Sequence, residues 1–364
     1  MTVIHRRENA VASNTAGVSP PAAQEPAAPS RGGRRPSGVS TLIFIRDRGI
    51  IVLFVALVAV FSLASPVFGT LTNFTLILSA AAVTAIFAAG VAVGVMSGVL
   101  DLSIPGTAAV AGVITGLVVE AGAGVALGVL AGLASGAVIG LINGLIVLRG
   151  LNPLVVTIGT LTVLTGLASV LSGGIPVSGL SVLHGIGTDR LAGIPAPVYI
   201  VAILYIVGTV FLTKTRGGIR LMAVGGNPEA VRRSGVNADR HRVLGFILSG
   251  FCAALAGIVT AAVVTQASPA ASPAVLFSAL TAVALSGVPL TGGRGSLPRV
   301  LVGALMIASI SSFLVIKNVQ PYWGSVITGA LLILALAMEK FISSAVSARL
   351  ATTSTKAAPA VKGA

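Results

Sequence analysis

The residue most able to do chemistry in this sequence is Asp101, an acid set in the short break GVLDLS between two long apolar runs, with Ser103 just after it. An ionisable side chain at membrane depth marks a substrate or ion path by default. The same two residues also fit a simpler role, capping a helix that starts near Ile104 with Pro105 in its first turn. Asn143, Asn152, Thr157 and Thr160 lie in or beside the next apolar runs. Each can offer a hydrogen bond to a hydroxylated solute, although such residues more often serve a helix–helix contact. Asn152, directly before Pro153, also reads as a helix cap.

Other chemistries lack their parts. No lysine follows a glycine, so a G-x-x-x-x-G-K-[ST] phosphate loop is absent, and the Gly-rich GGRGS at 292–296 reads as a tight turn. The three histidines, His5, His184 and His241, stand far apart with no Cys or carboxylate at ligand spacing, so no metal site is expected. Cys252 is the single cysteine and lies in an apolar run, where it suits packing; no internal disulfide can form. No nucleophile–base pair stands out, and no cofactor is implied.

A second set of residues points to contact rather than catalysis. The stretch GGNPEAVRRSGVNADRHR, residues 225–242, is charged in a chain that is otherwise greasy. Asn227 can cap a helix, Pro228 suits its first position, and Glu229 sits in the first turn where the helix dipole favours an acid. Ala230 continues the helix, Arg232 and Arg233 fall near its end, and Gly235 can take the left-handed conformation that stops it. About two turns are too short to be stable alone in water. The helix therefore needs a surface to lie on, either the membrane face or a partner.

The elements that must position these residues are membrane helices. The 364 residues are 55% hydrophobic and only 9% charged, against roughly a quarter charged in a soluble domain. Ten apolar runs approach the ~20 residues a crossing needs: 49–68, 74–97, 104–120, 123–148, 153–172, 196–213, 243–265, 274–290, 297–316 and 323–340. If both termini are cytoplasmic, 21 of the 23 basic residues fall on the cytoplasmic side and only Arg190 and Lys317 lie outside. That asymmetry is the one that orients polytopic proteins. The net charge of +14 therefore reads as topology rather than nucleic-acid binding, for which 4% aromatics offer few stacking surfaces. Residues 1–45, rich in Ala, Pro, Ser, Gly and Arg, read as a disordered cytoplasmic tail, 46–341 as the membrane domain with a cytoplasmic loop over 214–242, and 342–364 as a second tail.

Within the fourth run, Gly124, Gly128, Gly132, Gly136, Gly140 and Gly144 recur at every fourth position. This puts small residues on one stripe of a helix, where another backbone can approach closely. A fainter signal is an echo between SGVLDLS at 97–103 and SGVPLT at 286–291, as a duplicated transporter would show.

The sequence resembles the ABC importer permeases of the ribose and monosaccharide group. The likeness runs in order from about residue 45 to 340. It is carried by GVLDLSIPG at 98–106, INGLIVLRGLNPLVVTIGTLTVLTGLASVLSGG at 142–174, AVGGNPEAVRRSGVNADR at 223–240, LSGVPLTGGRGSLPRVLVGALM at 285–306 and YWGSVITGALLILAL at 322–336. The chain departs from the family in having Ser97, Gly98, Val99 and Leu100 where two glycines and an isoleucine are usual, and Pro105 where a small or β-branched residue is usual. The resemblance implies an all-α, type II-like permease of about ten spans in a bacterial inner or plasma membrane. It implies that Glu229, Ala230 and Gly235 carry the pattern that docks into a separate cytosolic ATP-binding subunit. It further implies a second permease copy or related permease, an extracytoplasmic sugar-binding protein, and a pentose or hexose as solute. The competing reading is a secondary transporter of a small polar solute driven by an ion gradient, which would have no use for a capped docking helix; a scaffold would have no use for polar breaks at Asp101 and Gly292.

Overall fold

A computed structural model describes residues 37–357. The chain forms helices α1 (Ser37–Ala64), α2 (Leu71–Met96), α3 (Ile104–Glu120), α4 (Val125–Leu148), α5 (Pro153–Ser172), α6 (His184–Gly187), α7 (Ala196–Lys214), α8 (Arg216–Gly226), α9 (Pro228–Arg233), α10 (Ala238–Val264), α11 (Pro273–Leu285), α12 (Leu297–Ile316) and α13 (Pro321–Ala357). A two-stranded hairpin, β1 (Arg190–Leu191) with β2 (Ile194–Pro195), is the only sheet among the described residues. The fold is an all-α polytopic membrane protein. Most of the expected N-terminal tail lies outside the described residues; α1 begins within its last part, and α13 runs on past the expected end of the membrane domain.

Each of the ten expected spans corresponds to one helix. Seven are long and apolar enough to cross a membrane, and Gly49–Ala64, Ile104–Glu120 and Pro273–Leu285 are shorter apolar helices. The α11 run stops at Leu285 rather than 290, because Ser286 turns its hydroxyl back to the Val283 carbonyl and Pro289 follows with no N–H to extend the ladder. Side-chain caps set five starts: Thr70, Asn152, Thr215, Asn227 and Asn237 each accept a hydrogen bond from the first turn of the helix they precede.

The helices pack as two groups built alike. In the first, α3 lies against α4 and α5; in the second, α11 lies against α12 and α13. The groups interlock crosswise: α10 packs on α3 and α4, α2 packs on α11 and α12, and α2 and α10 meet each other. Thus α2–α5 correspond to α10–α13. The α2–α10 pair is antiparallel, since a methyl on Gly90 would lie 3.0 Å from Cys252 Cβ, while one on Gly94 would meet α10 at Ser249 Oγ, 3.8 Å away. The two SGV motifs are not corresponding junctions in this scheme. They join α2 to α3 and α11 to α12, and their likeness is that of two helix ends closed the same way, with Ser97 Oγ on the Gly94 carbonyl as Ser286 is on Val283.

The glycine stripe lies where α4 meets α3 and α10. Gly128 and Gly132 face Thr115 and Ala111 of α3, and Gly136, Gly140 and Gly144 face Gly250, Phe246 and Val243 of α10. Gly124 is apart from this set: it precedes α4 as its N-cap and has open space around it. At the opposite end of α10, Val177 and Ala267 exchange both backbone hydrogen bonds at 2.9 Å, which ties the α5–α7 connection to the α10–α11 turn.

Candidate functional site: a buried polar chain and a capped surface helix

The break between α2 and α3 is buried within the protein. Ser97, Val99, Asp101 and Ser103 are all enclosed, with Asp101 4% exposed. The Asp101 carboxylate is acceptor-only when ionised, and it accepts three hydrogen bonds. Ser103 donates to Oδ1 twice, through its N–H at 2.9 Å and its hydroxyl at 2.6 Å, and Ser249 Oγ of α10 donates to Oδ2 at 3.0 Å. Ser103 forms no side-chain cap on α3, so the capping role expected for it is replaced by this bond to Asp101.

The chain of bonds continues. Asn143 Nδ2 of α4 donates to Ser103 Oγ at 2.9 Å, and Thr160 Oγ1 of α5 donates to Asn143 Oδ1 at 2.7 Å. Ser249, Asp101, Ser103, Asn143 and Thr160 thereby link α10, the break, α4 and α5. The first four are buried and Thr160 is half-buried, so the chain has one end toward the surface of α5. Four of the six path candidates read from the sequence belong to it. The other two do not: Asn152 caps α5 through the Leu154 N–H at 2.9 Å, and Thr157 returns its hydroxyl to Pro153 and Leu154 carbonyls of its own helix. Ser249 carries the second carboxylate oxygen, and no local pattern in an apolar helix singles it out. Asp101 and Ser249 are 148 positions apart.

This arrangement can hold polar groups in fixed orientation across three helices. Hydrogen bonding is its chemistry; among the described residues no cluster of His, Cys, Asp or Glu could hold a metal. Replacing Asn143 by Leu is expected to leave the Thr160 hydroxyl without its acceptor and to remove the donor to Ser103 Oγ, which keeps its bond to Asp101, at a cost of about 1–3 kcal/mol for an under-satisfied polar group. The purified protein should melt several degrees lower, while Thr157→Val should barely move the transition. An unchanged melting temperature for Asn143→Leu would dismiss the chain as a stabilising unit.

At one end of the bundle, α8 and α9 form the charged segment. Asn227 Oδ1 accepts from the Ala230 N–H at 2.9 Å, Pro228 occupies the first turn, and Gly235 has φ +80°. The Gly235 N–H bonds to the Arg232 carbonyl at 2.9 Å, closing the helix. Arg233 Nε reaches Glu229 at 3.3 Å along the helix, and Arg232 reaches Asp239 of α10 at 2.6 Å. Exposed pairs of this kind are worth about 0.2–1 kcal/mol, so they orient α9 more than they stabilise it. No residue of α9 is buried. A short helix fixed at both ends yet uncovered presents its outer face intact.

Residues 73–336 match the family model described as the permease component of branched-chain amino acid transport systems. The chain belongs to this permease family. Among its relatives, the ribose import permease protein of Escherichia coli K12 is 30% identical over 82% of this chain and 95% of its own. The L-arabinose transport system permease protein of the same organism is 31% identical over 80% and 90%, and its D-allose counterpart 32% over 83% and 94%. No solved structure gives a significant match. The polar chain and α9 thus both lie inside the segment that makes this protein a permease.

Proposed function

We propose that this permease is the membrane subunit of an ATP-driven importer of a monosaccharide, a pentose or hexose. The observation that carries the reading is the run of relatives named for ribose, arabinose and allose, aligned over about four-fifths of the chain. The permease has no phosphate-binding loop, so ATP hydrolysis belongs to a separate cytosolic subunit. α9, with Glu229, Ala230 and Gly235, is the helix that receives that subunit. A second permease, identical or related, completes the path, and an extracytoplasmic binding protein delivers the sugar. Asp101, Ser103, Asn143 and Thr160 hold the helices beside that path.

The basic asymmetry supports an orientation with both termini and the 214–242 loop in the cytoplasm of a multi-pass inner-membrane protein. A cysteine at Ser234, in a Cys252→Ala background, is expected to resist an impermeant thiol reagent in intact cells; labelling from outside would invert this orientation. The function is tested by uptake of labelled ribose, arabinose and allose in cells lacking the permease and in complemented cells. One of these sugars is expected to require it, with uptake stopped by ATP depletion. Uptake that survives ATP depletion and collapses with an ionophore would replace the reading with a gradient-driven carrier.

A further inference from the structure

Three backbone segments meet without side chains between them where α8 ends. A Cβ on Gly225 would overlap the Met96 carbonyl oxygen and lie 2.8 Å from the Gly293 nitrogen and 2.9 Å from the Gly98 nitrogen. One on Gly293 would overlap Gly226, and one on Gly98 would come 3.0 Å from Gly225 Cα. Gly292 is equally confined, 2.7 Å from the Val95 carbonyl oxygen by the same measure. The Gly293 N–H also donates to the Met96 carbonyl at 3.2 Å. The end of α2, the end of α8 and the α11–α12 turn are therefore in backbone contact.

What each segment leads to gives the junction its meaning. Asn227, the cap of α9, follows Gly226 directly. Gly98 leads through buried Val99 to Asp101 and its polar chain. The α8 end is itself anchored, since Leu221 and Val224 are buried in the bundle. Side chains at such a contact would absorb a displacement by changing rotamer; backbone packed on backbone has no such freedom.

We propose that Gly98, Gly225 and Gly293 are positioning residues that carry displacement of α9 into the Asp101 break, so that movement at the docking helix shifts the polar chain linking α10, α4 and α5. This inference rests on the reading of α9 as the ATPase-docking helix.

The test uses the complete complex of permease, ATP-binding subunit and binding protein. Gly225→Ala and Gly293→Ala each place a methyl inside the junction. Gly217→Ala is the control on the same helix, because its methyl would sit at an ordinary 3.6 Å from the Phe211 ring. Three quantities are read in each: co-purification of the ATP-binding subunit, ATP hydrolysis by the complex, and sugar uptake. The expected result for Gly225→Ala is retained co-purification and hydrolysis, within about twofold of wild type, with uptake reduced at least tenfold. Uptake within twofold of wild type would overturn the proposal and leave the docking reading intact. Loss of co-purification would also overturn it, by making the junction a part of the docking surface. A wild-type complex that never retains the ATP-binding subunit would instead sink the docking reading. Hydrogen exchange on the wild-type complex guards against a variant that fails to fold. Peptides covering 95–103 should change protection when nucleotide is bound, and no change there would overturn the proposal without any substitution.

Discussion

Glu229→Lys combined with Gly235→Val is expected to reduce sugar uptake to background while the permease reaches the membrane at its normal level. Both changes lie outside the bundle: α9 has no buried residue, and Gly235 has open space around it. The lysine removes the Glu229–Arg233 pair and puts a cation in a first turn where the dipole favours an acid, an effect of about 0.3–1 kcal/mol. The valine must occupy φ +80°, a left-handed position that costs an L-residue roughly 1–2 kcal/mol, and a β-branched one more. A helix too short to stand alone cannot absorb that total. Its last turn unwinds, and the outer face no longer fits a partner. The measurement is affinity capture of the permease followed by assay of the ATP-binding subunit, beside uptake in the same cells. Full ATP-dependent uptake by the double variant would remove the docking role proposed for α9.

A second large effect is expected from Gly132→Leu with Gly136→Leu: loss of assembled permease from the membrane. A side chain at Gly136 would run into Ala254 and the Gly250 carbonyl of α10, and one at Gly132 would start 2.9 Å from the Ala111 carbonyl oxygen and 3.0 Å from Ile258 Cδ1. Overpacking a core costs about 1–3 kcal/mol where neighbours can shift. Here the obstacles include backbone on two sides, so α4 must leave its place. Detergent-extracted yield is the readout. Gly159→Ala provides the contrast, because its methyl meets nothing within 4 Å. Normal yield of the double leucine variant would mean that the stripe is not the contact that holds α4.

How far the sequence discloses this protein depends on the range over which each signal acts. The cap, the proline and the stop of α9 lie within a few positions of one another, and their conformations follow from local chemistry. The stripe on α4 is legible because its spacing fixes a face; that α3 and α10 cover different parts of that face depends on tertiary packing. Asp101 stands out as an acid in an apolar stretch, and Asn143 and Thr160 as polar groups in helices. Their joining into one chain needs α4 and α5 brought together, and Ser249 has no local mark at all. The roles of Gly98, Gly225 and Gly293 are equally hidden, since each alone looks like an ordinary turn or helix-end glycine.

The shortness of α11 has a consequence for how the protein is made. Its 13 residues span about 20 Å, whereas the hydrocarbon layer is about 30 Å thick. As it leaves the ribosome, α11 alone cannot satisfy the length rule by which a segment is retained in the bilayer. It becomes a stable crossing only beside α2, α12 and α13, which cover it in the finished bundle. The two-stage order, insertion of independent spans followed by their association, therefore fails at this point of the chain. The last quarter of the protein, from α11 onward, is expected to enter the membrane as a packed unit rather than span by span.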